Sequence, residues 1–148
     1  MNILLTLIRR FEGCKLVAYL CPAGVWTLGW GATGPGIQKG VSWTQEQADQ
    51  RLEGDALLYF LAALKASPVL AAQPEVHQAI ADFCYNLGLG RYRASTLKKR
   101  IDAGDFDGAS DEIVKWVFGG GRKLPGLVLR RQAEAAVIVK YAGGANGR

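Results

Sequence analysis

The sequence predicts an α+β fold, a small N-terminal antiparallel sheet packed beside a larger helical lobe with one central buried helix. Three observations carry this prediction. Apolar residues recur at helical spacing near the N-terminus and again from residue 44 onward. Between these stretches the texture changes to apolar alternation and frequent glycine, as in strands and turns. No internal repeat or linker divides the 148 residues, so 1–148 reads as one domain of two lobes. The sheet lobe takes about 15–41, and the helical lobe about 44–141 together with an N-terminal helix over 3–12.

Leu4, Leu7, Ile8 and Phe11 fall at i, i+3, i+4 and i+7, one face of a short first helix. Arg9 and Arg10 suit its negative C-terminal end, and Gly13 is its stop. In the next stretch Trp26, Leu28 and Trp30 alternate with Val25 and Thr27, and "CPAG" signals a turn. Thr44 with Gln47 three residues on forms the signature of a capping box, opening a helix to about residue 66. Its second half, "ALLYFLAALKA", is apolar nearly all round and is expected to be well buried. Pro74 opens the next helix, where Val76, Ala79, Ile80, Phe83, Cys84 and Leu87 make a continuous stripe ended by Gly88. This is the expected central helix. Shorter helices follow at about 96–103 and 106–117, with Asp105 capping the second. "GGGRK" reads as a mobile loop, Pro125 starts a last helix to about residue 141, and "GGANGR" is a loose tail.

The net charge of +5 suits a polyanionic partner such as nucleic acid, an anionic membrane face or a wall polymer. It is equally compatible with a merely soluble basic protein. The basic residues are dispersed, with short clusters at 98–100 and 130–131 and no long run. Cys14, Cys21 and Cys84 form no disulfide framework, and a single His gives no zinc pattern; one disulfide with a leftover thiol stays open. The apolar run at 3–8 is too short to span a bilayer and lacks the features of a signal peptide.

"GWGATG" fits a dinucleotide-binding spacing, but Pro35 and Gly36 follow where that motif needs a helix, so no cofactor is expected. His77 lies off the apolar stripe of its helix and reads as a surface residue. With no second His and no nucleophile elbow, serine hydrolysis has little support, and metal hydrolysis lacks ligands. Glu46, Asp49, Glu53, Asp55, Asp111 and Glu112 read as solvated helix surface. Glu12 differs. It sits between Phe11 and Gly13 at a helix end, just before the sheet. An acid beside a negative helix terminus in an apolar cleft holds its proton more readily, which suits a general acid. The other reading is a structural pair with a nearby arginine.

Glu12, eight residues, Cys21, five residues, Thr27: this spacing resembles the Glu–Asp/Cys–Thr active-site pattern of the phage-type lysozymes, the muramidase endolysins of glycoside hydrolase family 24. "FEG", "AYLCPAGVWTLGWG", "FCYNLG", "STL" and "LPGLVLRRQAE" resemble that family's segments in the right order, from about residue 3 to 141. The likeness is nearest to endolysins of lambdoid phages and related prophages. It implies a lysozyme-like fold with the cleft between the lobes. It also implies hydrolysis of the β-1,4 bond between N-acetylmuramic acid and N-acetylglucosamine in peptidoglycan, with no cofactor and no metal. In that reading Glu12 protonates the leaving oxygen, Cys21 and Thr27 hold the attacking water of an inverting reaction, and Asn86 contacts a sugar. An unperturbed thiol, with a pKa of about 8.5, is a poor base at neutral pH. Cys21 is therefore a partial thiolate, a polar neighbour or a buried small residue. Asn86 has the second reading of a helix cap beside Gly88.

The resemblance also marks departures. Ala32 stands where many relatives carry a histidine, so that histidine's ion pair is absent. Arg130 and Arg131 are placed either to orient Glu12 or, for Arg130, to pair with Glu134 at i+4. Of Trp26, Trp30, Trp43 and Trp116, one is expected at the cleft. The partner implied is the glycan strand of peptidoglycan, acted on by a monomer, without nucleic acid and without stable membrane insertion. The protein would be made in the host bacterial cytoplasm and reach the periplasmic wall through a separate pore, or from a longer signal-anchored form. The rival reading is a wall-binding protein of the same fold with little catalysis, because the second carboxylate is missing.

Overall fold

A computed structural model describes residues 1–142. The "GGANGR" stretch, expected as a loose tail, lies outside them. The chain opens with helix α1 (Asn2–Glu12), whose Leu4, Leu7 and Ile8 are buried and whose end is turned by Gly13 at φ 66°. Strands β1 (Lys15–Leu20) and β2 (Trp26–Gly29) follow as an antiparallel pair, with Tyr19 opposite Thr27 and Leu20 opposite Trp26. Leu28, Ala32 and Ile37 form a small core beneath them, against Trp26 and Trp43.

Helix α2 (Gln45–Ala66) begins at the capping box read from the sequence: Thr44 accepts from the Gln47 N–H and Gln47 reaches back to the Thr44 N–H. Its second half is not buried all round. Leu57, Leu58 and Leu61 are exposed, while Ala48, Leu52, Ala56 and Ala63 face inward. The helix packs on α1, on β2 and on the segments at 68–72, 74–87 and 89–93, and leaves those three leucines outside.

After a short 3₁₀ turn (Pro68–Ala72), helix α3 (Pro74–Leu87) runs through the middle of the helical lobe. All its residues from 76 to 84 are buried, because α1, α2 and the later helices cover every side. This corrects the reading of His77 as a surface residue. Its ring stacks on Phe60 of α2 with centroids 3.6 Å apart, and Nε2 lies 2.7 Å from the Phe60 carbonyl.

Helices α4 (Leu89–Arg93), α5 (Thr96–Asp102) and α6 (Phe106–Ile113) complete the base of the lobe. Asp105 caps α6 as expected, accepting from Gly108 N–H at 2.9 Å, but the helix stops well before residue 117. The "GGGRK" segment is a hairpin rather than a loop: β3 (Phe118–Gly119) pairs with β4 (Arg122–Lys123) across a turn in which Gly120 and Gly121 both have positive φ. Helix α7 (Pro125–Ala142) closes the fold, packing on α3 and α6.

Candidate active site

Glu12 is the last residue of α1, and Arg130 of α7 holds it from below. Arg130 Nη1 donates to Glu12 Oε1 at 2.6 Å, while its Nη2 and Nε donate to Asp82 Oδ1 and Oδ2 at 2.7 and 2.9 Å. The guanidinium also lies over the Phe11 ring, 5.7 Å from its centroid. Burial works against the charge of Arg130, but the two carboxylates outweigh it and raise its pKa. The alternative left open by the sequence is thereby decided. Arg130 pairs with Glu12 and Asp82, not with Glu134, which belongs to Arg131.

The second oxygen of Glu12 points elsewhere. A Cβ on Gly31 would lie 3.1 Å from Oε2, so the glycine lets the 29–34 loop close over the carboxyl. At φ +90° Gly31 also adopts a backbone that other residues resist. Three side chains pin this loop. Tyr85 Oη donates to the Trp30 carbonyl at 2.7 Å, Trp30 Nε1 to Asp49 Oδ1 at 2.8 Å, and Arg51 Nη2 to the Thr33 carbonyl at 3.1 Å. Arg51 also pairs with Asp55, so a cation on α2 ties down the loop that carries Ala32. The Trp30 indole holds the Asp49 carboxyl below the usual carboxylate range.

Two cavities border this centre. One of about 260 Å³ is lined by Phe11, Glu12, Asn86, Leu124, Leu127 and Arg130 among others. The other, about 340 Å³, lies between Gly31 and Thr33 on one side and Arg51, Asp55, Tyr59 and Tyr85 on the other. No tryptophan lines either; their aromatic walls are Phe11, Tyr59 and Tyr85. Asn86 does not act as a free cap. Its Oδ1 accepts from Arg131 Nη2 at 3.0 Å, which leaves its N–H groups as donors beside Glu12.

Cys21 and Thr27 come together at the end of the β1–β2 hairpin. The "CPAGV" turn closes through Cys21 N–H on the Val25 carbonyl (3.0 Å) and Gly24 N–H on the Cys21 carbonyl (2.8 Å). The Val25 N–H foremost, then the Ala23 N–H, Thr27 and the Gly24 N–H lie about the sulfur. Together they lower the Cys21 thiol's pKa. No cation was legible beside Cys21 in the sequence; the turn's own amides take that part. Thr27 is buried and its Oγ1 donates to the Val25 carbonyl at 3.0 Å. Tyr19, opposite Thr27, is close enough to both Glu12 and Cys21 that, after burial, their negative charges raise its pKa. All three cysteines are free thiols. Burial pushes Cys84, wrapped in the core, up to about 12. Among the described residues no cluster of His, Cys, Asp and Glu has the makings of a metal site.

Asp82 was missed by sequence reasoning, and Glu134 pairs with Arg131 rather than with Arg130. An acid in the middle of the expected central helix, beside its apolar stripe, was the available signal, since a buried acid needs a cation. Arg131 and Glu134 meet at 2.7 Å (Nη2–Oε1) and 2.6 Å (Nε–Oε2), the second contact lying off the hydrogen-bond direction. Burial pushes the Glu134 carboxyl up, against the pull of Arg131.

Comparison with known proteins places these features in company. A family model described as phage lysozyme matches residues 9–134. An endolysin of Acyrthosiphon pisum secondary endosymbiont phage 1 is 41% identical over 138 residues, covering 90% of this chain and 93% of that protein. Among solved structures, the endolysin from Escherichia coli O157:H7 phage FAHEc1 superposes with a TM-score of 0.80 at 30% identity, over 94% of this chain and 92% of the other. The active form of the P1 phage endolysin Lyz gives 0.83 at 26% identity, over 100% and 88%.

Proposed function

The chain belongs to the phage lysozyme family, and on that premise we propose that Glu12 is its general acid, with Cys21 and Thr27 holding the attacking water. The protein is a muramidase. It hydrolyses the β-1,4 bond between N-acetylmuramic acid and N-acetylglucosamine in peptidoglycan and so lyses the host cell at the end of a phage cycle.

The observation that carries the assignment of Glu12 is the division of labour between its oxygens. Oε1 is engaged by Arg130, and Oε2 lies against the Gly31 loop with no hydrogen-bond partner among the described residues. A proton on Oε2 passes to the glycosidic oxygen as the bond breaks and positive charge develops on the sugar ring. Water attacks the opposite face, and the Cys21 thiolate takes its proton while the Thr27 oxygen orients it. Glu12 ends as a carboxylate and Cys21 as a thiol, and exchange with solvent restores both. The general acid supplies roughly 10²–10⁴-fold of the rate. The Asn86 N–H groups meet an oxygen of the bound sugar beside it. In this reading the protein works as a monomer on glycan strands, without nucleic acid or stable membrane insertion, made in the host cytoplasm and acting on the periplasmic wall after release. No described helix is long and apolar enough to cross a membrane.

Glu12→Gln tests the assignment against the wall-binding alternative, which the missing second carboxylate favours. Wild type is expected to clear a suspension of permeabilised Gram-negative cells and the variant to leave it turbid. Equal clearing by the two removes Glu12 from the chemistry, and no clearing by either leaves a binding protein.

A further inference from the structure

The reaction uses one end of a buried chain of charge and leaves its next member, Asp82, without a task. Asp82 is fully buried on α3 and lines neither cavity, so it does not touch substrate. Both its oxygens are spent on Arg130, at 2.7 and 2.9 Å, and Arg130 reaches Glu12 with its remaining terminal nitrogen at 2.6 Å. A two-point clamp of this kind fixes the plane of a guanidinium and therefore the direction of its third bond.

We propose that Asp82 is a positioning residue that works through Arg130, aiming Glu12 and cancelling the guanidinium's charge so that protonated Glu12 completes a neutral cluster. The inference rests on Glu12 being the general acid. Its logic is a charge count. Asp82 and Arg130 sum to zero, so a neutral Glu12 leaves the trio uncharged in a mostly buried site. With Asp82 made neutral, the full charge of Arg130 faces Glu12 alone and draws off its proton. The other groups around the trio are few. Tyr85 of α3 and Tyr19 of β1 feel the charge of Glu12, and Arg10 on its own helix lies over Phe11. Glu134 of α7 packs against Asp82, itself held by Arg131, and Cys84 lies beside both acids. When Asp82 loses its charge, Glu134 loses a neighbour that favours its protonated form, and this partly offsets the effect on Glu12 without reversing it.

The test is kcat/KM on purified peptidoglycan against pH for wild type, Asp82→Asn and Asp82→Ser. The first variant keeps the shape and the second empties the site. The pH dependence of iodoacetamide alkylation at Cys21 is followed alongside, so that any titration of the thiol is recognised. The alkaline fall in activity should move down by about one pH unit in both variants, with the Cys21 profile unmoved. A lower rate with an unmoved alkaline limb, or a limb moved upward, makes Asp82 an ordinary structural ion pair and overturns the inference. Glu12→Gln separates the two levels. If it keeps wild-type activity, the general-acid reading and this inference fall together. If it is inactive while the Asp82 limbs stay put, only this inference falls.

Discussion

Cys21 occupies a turn whose amide groups are aimed at its side chain, a setting that steadies negative charge without a cation nearby. A turn that favours the thiolate gives a carboxylate the same reception. Cys21→Asp is therefore expected to retain activity. Cys21→Ser, which cannot ionise in this range, should lose roughly tenfold or more and the acid limb of its pH profile with it. An unchanged rate and profile in Cys21→Ser would exclude the thiolate base. Gly31 gives a second prediction. A methyl group there lies 3.1 Å from Glu12 Oε2 on a backbone at φ +90°, so Gly31→Ala should lower activity by about tenfold or more at an unchanged circular dichroism spectrum. Full activity would place the reacting oxygen elsewhere. At this scale the sequence was legible where spacing is local. Glu12, Cys21 and Thr27, the proposed site residues, lie within one short stretch whose resemblance to a known family singled them out. The link from Glu12 to Arg130 spans 118 positions and the clamp on Asp82 a further 48, and nothing local announces either.

At the scale of elements, periodicity identified α1, α3 and the β1–β2 pair, while a capping box opened α2 and Pro125 opened α7. Periodicity failed where packing exceeded a single face. The helix α3 is covered on all sides, so His77, off the apolar stripe, is buried as deeply as the stripe itself. The reverse holds for α2, whose apolar second half leaves Leu57, Leu58 and Leu61 exposed. The β3–β4 hairpin was hidden because two glycines at positive φ look like slack in a sequence and are a tight turn in the fold. His77 provides the test. Burial lowers its pKa below the unfolded value of about 6.5, against the Phe60 carbonyl's opposite pull. The unfolded chain therefore binds the proton more readily than the folded one. Stability from neutral His77 is fully present above about pH 6.5 and is lost as pH falls through and below that value. The melting temperature should drop between pH 7 and 5 in wild type and drop less in His77→Gln. Parallel curves would show that the ring is charged in the fold.

For the whole molecule, the proposed site draws Cys21, Thr27 and Gly31 from the sheet side and Arg130, Asn86 and Tyr85 from the helices, with Glu12 at the end of α1. The charge of +5 adds a long-range attraction to an anionic wall. Salt shortens its reach from about 10 Å at 0.1 M to about 3 Å at 1 M. Clearing of permeabilised cells should slow as salt rises, while hydrolysis of short glycan fragments, which carry few charges, should slow much less. Equal slowing of both would locate the salt effect in the site. The central claim is that Glu12 delivers the proton that breaks the muramic bond. Its most direct test counts the reducing ends released from purified peptidoglycan by wild type and by Glu12→Gln, and identifies the sugar that bears them. Wild type should expose N-acetylmuramic acid ends, and the variant should be slower by about 10²-fold or more. Comparable release by the variant, or ends that are N-acetylglucosamine, would contradict the account.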